Sequence, residues 1–259
     1  MNGEIAKLLG KDLDNVILGG YRGSIAHGTY VPSSDPNSID DKDLMFVCVP
    51  DLSHYFGLKE FNSRGTKEIK HGEWDIVLYE VRKFVNLLMK GNPNVLMMLW
   101  LEPNLYVQVN DSGKLLIDNR GLFVGRHVYR SFTGYAYGQL KKMTAYKFEG
   151  WMGTKRKTLV DKYGFDSKCA SHLIRILKMG IEFMRDGQMY VQRHDAQQLL
   201  DIKHGKWGLT QVKEEAERLF KVAEEVYLEC KLPVGLDLDK INDLCVEIVK
   251  NELDSRLEL

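Results

Sequence analysis

Gly23-Ser24-Ile25-Ala26-His27-Gly28, then a polar loop, then Asp41-Lys42-Asp43 heading the apolar run Leu44-Met45-Phe46-Val47-Cys48-Val49, is the stretch that decides the fold. A Gly-Ser turn offers backbone N–H groups to a phosphate. Residues i and i+2 of a strand project to one face, about 6.6 Å apart along the backbone. Asp41 and Asp43 can therefore share a divalent metal, while Asp40 points the other way. Mg2+ (or Mn2+) suits a few carboxylates completed by phosphate oxygens better than a closed protein cage. Together these elements read as a site for transferring a nucleotide. The plainer alternative is an acidic strand start facing solvent.

Working outward, Val16-Ile17-Leu18 followed by Gly19-Gly20 predicts a buried strand that breaks just before the Gly23-Ser24 turn. Ser24 is placed to cap the short helix that follows and to donate its hydroxyl to a phosphate oxygen. Gly23 serves either close approach of a phosphate or a positive φ. Two-metal phosphoryl chemistry calls for a further carboxylate on a neighbouring strand. Asp75 is the candidate, opening the run Asp75-Ile76-Val77-Leu78-Tyr79 after a hairpin turn at His71-Gly72, and Glu73 on the same strand face is its competitor.

Gly-Ser, a strand Asp-x-Asp and a single Asp on a later strand resemble the DNA polymerase β-like nucleotidyltransferase superfamily. Three further segments are similar to its RNA-repair-pathway branch of bacteria and phages. They are Asp75-Ile-Val-Leu-Tyr-Glu-Val-Arg-Lys-Phe, Lys90-Gly91-Asn92-Pro93-Asn94-Val95 and Ser171-His172-Leu173-Ile174-Arg175, and the likeness extends over about residues 19–208. The family's usual Ser-Asp-x-Asp is altered here: Ser34-Asp35 is followed by Pro36-Asn37, and Asp41 is preceded by Asp40. The metal ligands are therefore assigned to Asp41 and Asp43, which lead into the apolar strand.

The resemblance implies an α/β (α+β) chain: a polymerase-β-like core with a small mixed sheet over residues 1–110, then a helical domain over 111–259 that completes the nucleotide and acceptor site. It implies transfer of a nucleoside monophosphate from a triphosphate to an acceptor hydroxyl, with Asp41, Asp43 and Asp75 catalytic and metal-binding. Gly23, Ser24, Lys168, His172 and Arg175 would hold the nucleotide. The branch points to RNA as acceptor, a tRNA or a damaged 3′ end. Adenylylation of a protein or small molecule and a non-catalytic nucleotide-binding module are the alternatives.

Composition agrees with an enzyme. At 259 residues and 44% hydrophobic content the chain can bury one large core or two smaller ones. No apolar stretch approaches the ~18 residues of a membrane span, and the first residues lack a secretory signal, so a cytoplasmic protein with no membrane partner is expected. Cys48, Cys169, Cys230 and Cys245 lie too far apart for a zinc pair or a disulfide framework. Net charge is zero, yet residues 141–178 hold 10 basic against 3 acidic side chains, interleaved with Tyr146, Phe148, Trp151 and Tyr163. Such a segment contacts a triphosphate or a nucleic acid, or is a solvated helical face.

Helical spacing over 167–185 puts Ala170, Leu173, Ile174, Leu177, Ile181 and Met184 on an inward face. Lys168, His172 and Arg175 form a stripe beside it, either holding a polyphosphate or lying in a salt-bridged surface. Other helices are predicted over 3–9, 81–90, 95–101, 128–146, 154–163, 195–203, 209–228 and 238–257, with Asp195 as an N-cap. Strands are predicted near Val16, Leu44, Lys67 and Ile76. Nucleotide preference and oligomeric state are not legible in the sequence.

Overall fold

The computed structural model describes residues 3–35, 38, 40–144 and 154–257. Strict alternation organises its centre. In β2 (Lys42–Cys48), Leu44, Phe46 and Cys48 face one apolar cluster, while Met45 and Val47 face a second. β4 (Trp74–Glu80) does the same with Trp74, Ile76 and Leu78 against Val77. Both strands are buried on both sides, which is why they read as near-continuous apolar runs.

Five strands form one mixed sheet in the order β3-β4-β2-β1-β5. β1 (Val16–Tyr21) and β5 (Tyr106–Val109) are antiparallel neighbours, β3 (Thr66–His71) and β4 form the hairpin read at His71-Gly72, and β2 and β4 run parallel. β1 does not break at Gly19-Gly20 but continues through both to Tyr21. A Cβ on Gly19 would stand 2.3 Å from the Phe46 ring, so glycine there admits the ring rather than ending the strand. β5 has four half-buried or exposed residues and no sequence signal strong enough to predict it.

One face of the sheet carries α1 (Gly3–Leu9), whose Ile5 and Leu9 close the smaller cluster. The other face meets the helices. α2 (Gly23–Ala26) follows β1; α3 (Val81–Met89), α4 (Pro93–Leu96) and α5 (Asp111–Asp118) follow β4 and β5. Then come α6 (Val128–Thr144), α7 (Thr154–Tyr163), α8 (Ser167–Asp186), α9 (Ala196–Lys203), α10 (Leu209–Glu229) and α11 (Leu238–Leu257). The predicted helix over 95–101 is divided: α4 gives way to a tighter turn at Met97–Trp100.

α8 is the axis of the helical part. Asp166 caps it by accepting from the Cys169 N–H at 2.9 Å, and Gly187 ends it in the left-handed region at φ 64°. It packs against α6, α9 and α10, so most of its circumference is buried rather than one stripe. The larger cluster runs from Ile17 and Met45 through Met98, Phe132 and Leu173 to Ile248, joining the sheet face to the helices in one core. Asp195 stands at the start of α9 without capping it; its carboxylate accepts from Lys178 and Arg193 instead. Among the described residues no helix is long and apolar enough to cross a membrane.

Candidate active site

Parallel pairing of β2 with β4 puts Asp43 directly opposite Asp75. Both are odd-numbered, on the face that Met45, Val47 and Val77 bury, so both carboxylates point toward the helices. Asp41, one residue before β2, lines the same cavity of about 350 Å3, whereas Lys42 turns to the opposite face and lies over the Trp74 ring at 5.3 Å. Glu73, the competitor of Asp75, is held by Lys42 at 2.9 Å and does not line the cavity.

The Gly-Ser turn meets these acids from β1. Gly23 has φ +62°, and a Cβ on it would stand 2.2 Å from Asp43 Oδ2. The positive φ calls for glycine, and the group that a side chain there would meet is Asp43. Ser24 lies inside α2, whose first turn has no side-chain cap, and its Oγ is buried without a hydrogen-bond partner. Arg22, which flanks the turn, donates from Nη2 to Asp75 Oδ1 at 3.2 Å and lies 3.8 Å from Asp43 Oδ1. Lys70 reaches Asp75 Oδ2 at 3.5 Å.

Burial pushes the Asp43 carboxyl up to about 6; Asp75 and Asp41 add to the rise, while Arg22 and Lys168 oppose it. Among the described residues no three His, Cys, Asp or Glu side chains are drawn tightly enough together to cage a metal. The donor set nonetheless fits a hard divalent cation that takes its remaining oxygens from a phosphate. A guanidinium already spans two of the acids, and Gly23 packs against Asp43 without a side chain to cover it.

Asp40, expected to point away from Asp41 and Asp43, lines the same cavity, because the chain is not yet in the strand there, but it has a different task. It is buried, accepts from the Val31 N–H at 3.0 Å, pairs with the Lys203 ammonium at the end of α9 and lies 3.3 Å from Lys168 Nζ. Burial alone would raise its carboxyl, and Lys203 followed by Lys168 more than reverses that, leaving it below the ordinary range. Asp40 thus ties the loop before β2 to the helical part.

The far wall of the cavity comes from α6 and α8. His172 and Arg175 line it, with Lys168 one turn earlier. Arg175 is buried, and its only hydrogen bond among the described residues goes to Met179 Sδ at 3.1 Å. Burial first, then the neighbouring Arg193, lowers this guanidinium from 12.5 to about 9. His172 Nε2 is buried without a partner, and burial, then Arg175, holds the imidazole well below its usual range. Its ring tilts against Tyr135 at 5.6 Å, and Tyr135 OH accepts from Asn94 Nδ2 at 2.8 Å. The Gly-Asn-Pro-Asn and His-Leu-Ile-Arg segments, far apart in sequence, thus meet at one cavity.

Sequence reasoning missed Arg22, His27, Thr29, Asn94, Tyr135 and Lys203 as lining residues. Arg22 adjoins the Gly-Ser turn and Asn94 lies in the Gly-Asn-Pro-Asn segment, which are the signals that could have found them. His27 is buried, its Nδ1 donating to the Val191 carbonyl at 2.9 Å, and burial followed by Arg175 keeps it neutral far below its usual pKa. Of the basic-aromatic segment, Arg156 reaches the cavity, donating to Asp166 Oδ2 at 3.1 Å, while Tyr146, Lys147, Phe148 and Trp151 lie outside the described residues. A larger apolar groove of about 990 Å3 between α3 and α11 shares no residue with this site.

No curated protein matches the chain. Residues 4–247 match the model of the RNA repair pathway DNA polymerase beta family, RlaP, and that span takes in the sheet, the Gly-Ser turn, the opposed aspartates and the helical wall alike. The chain belongs to that family.

Proposed function

We propose that the protein is a metal-dependent nucleotidyltransferase that moves a nucleoside monophosphate from a nucleoside triphosphate to the hydroxyl of an RNA, at a tRNA or damaged 3′ end. The observation that carries the reading is Asp43 in register with Asp75, beside Gly23, whose positive φ and close contact with Asp43 both exclude a side chain. A divalent cation held by Asp41, Asp43 and Asp75, Mg2+ or Mn2+, would supply phosphate polarisation and a lowered hydroxyl pKa when bound.

The chain's own residues account for the rest. Arg175 is a buried cation with no carboxylate partner among the described residues, an arrangement that costs stability unless an anion arrives. It offsets charge on the departing pyrophosphate. Ser24 Oγ and His172 Nε2 are buried polar atoms on the same cavity without partners among the described residues, suited to phosphate or ribose oxygens. The neutral His172 contributes a hydrogen bond and not a charge. Lys168 lies on the same wall, next to Asp40, and adds positive potential.

Incubation with Mg2+, each α-labelled triphosphate and either RNA or protein acceptors tests the reading. Label in RNA with release of pyrophosphate is the expected result, lost in Asp43→Asn. Label in protein replaces the acceptor, and nucleotide binding without pyrophosphate release refutes catalysis.

A further inference from the structure

Arg22 has an unusual position for a side chain at a site built to receive cations. Its backbone N–H donates to the Asp43 carbonyl at 3.0 Å, which pins the main chain at the end of β1. Its guanidinium then reaches across to the carboxylates of two strands, 3.2 Å from Asp75 Oδ1 and 3.8 Å from Asp43 Oδ1. Adjacent strands stand about 4.8 Å apart, so two opposed carboxylates repel strongly unless a cation lies between them. The guanidinium fork is only partly used, because Nε is buried without a partner. Its neighbours in sequence are Gly23 and Ser24, the turn assigned to the phosphates.

We propose that Arg22 is a resident counter-ion that competes with divalent metal for Asp43 and Asp75, and that it is released by rotating onto a nucleotide phosphate. The inference rests on the reading of those acids as metal ligands, and not on which acceptor is used. Without nucleotide, a metal must break the Arg22 contacts and leave the guanidinium in a half-buried place with no anion. With nucleotide, the phosphate takes two donors of the fork at once, Nε included, and both carboxylates lose the guanidinium, leaving only the exposed Lys70 ammonium 3.5 Å from Asp75 Oδ2. Metal and triphosphate therefore bind cooperatively, each removing the obstacle to the other. Only the side chain has to move, since the backbone bond to Asp43 is independent of it. The device keeps the acids paired and the protein resistant to adventitious cations until substrate is present.

Mn2+ binding, read by the loss of free-ion electron paramagnetic resonance signal, tests this without turnover. Wild type, Arg22→Ala, Arg22→Lys and Asp43→Asn are titrated with and without a non-hydrolysable triphosphate. Arg22→Ala is expected to bind Mn2+ at least tenfold more tightly than wild type without nucleotide, and to gain less than wild type when nucleotide is added. Arg22→Lys, a point charge that cannot span both acids, falls between the two and serves if the alanine variant fails to fold. Mn2+ affinity in either variant equal to or weaker than that of a wild type that binds the ion overturns the role of Arg22 alone. No Mn2+ binding by any protein, or binding unaffected by Asp43→Asn, overturns the metal reading and this inference with it.

Discussion

Replacing Arg175 by methionine should make the protein more stable and a poorer binder of nucleotide. Lowering a guanidinium from 12.5 to about 9 disfavours its charge by about 5 kcal/mol, at ~1.4 kcal/mol per tenfold. Contact with the water of an open cavity screens part of that, and methionine fills a little less space. A net gain of about 1–3 kcal/mol is expected, within the roughly 1–4 kcal/mol that replacing buried ion pairs by apolar groups can contribute. For a chain of this size that is a rise in Tm of roughly 3–10 °C. The sign with pH follows from proton binding. Burial lowers the Arg175 guanidinium in the folded protein, so the unfolded chain holds this proton more tightly and wild-type stability rises toward alkaline pH. The advantage of Arg175→Met therefore holds steady through neutral pH and shrinks only as pH rises above about 9. Losing a charged donor to phosphate weakens triphosphate binding by about 2 kcal/mol, or ~30-fold in Kd. Calorimetric melting and nucleotide titration measure both. A variant that is less stable than wild type, or that binds triphosphate equally well, refutes the assignment of Arg175 as an anion receptor.

Asp43→Asn should abolish transfer while keeping Tm at or slightly above wild type, because it relieves repulsion with Asp75 and Asp41; full activity in the variant would contradict its role. Gly23→Ala places a methyl group against Asp43 Oδ2 and forces alanine into positive φ, costing about 1–2 kcal/mol and at least ~100-fold in turnover through the displaced carboxylate; unchanged turnover would show the turn to be uninvolved. Asp40→Asn leaves Lys203 buried without its anion and should cost about 3–5 kcal/mol. Chemical denaturation measures that loss, and a loss of transfer without loss of stability would instead place Asp40 among the catalytic acids.

Much of the site is local in sequence, and that part is legible. The period of a strand placed Asp41 and Asp43 on one side, and the apolar runs after Asp43 and Asp75 marked two buried strands whose pairing sets the acids face to face. The helix expected over 167–185 from its apolar spacing is α8, Ser167–Asp186. What escaped was set by tertiary contact. Arg22 looks like any basic residue before a turn until β4 brings Asp75 within 3.2 Å. Asp40 reads as one more acid beside Asp41 until α9 delivers Lys203 across 163 positions. The stripe of Lys168, His172 and Arg175 has the same spacing on a surface helix as on a buried one, and only packing by α6, α9 and α10 decides between them. Strand β5 is too short for its alternation to be recognised.

Crystals soaked with Mn2+ and a non-hydrolysable triphosphate, examined for anomalous scattering, test the central claim most directly. The account predicts a manganese peak between Asp43 and Asp75, with the Arg22 guanidinium moved onto a phosphate and Arg175 facing the same polyphosphate. A peak bound elsewhere, or a triphosphate seated away from the Gly23-Ser24 turn with Arg22 still joining the two aspartates, would contradict it.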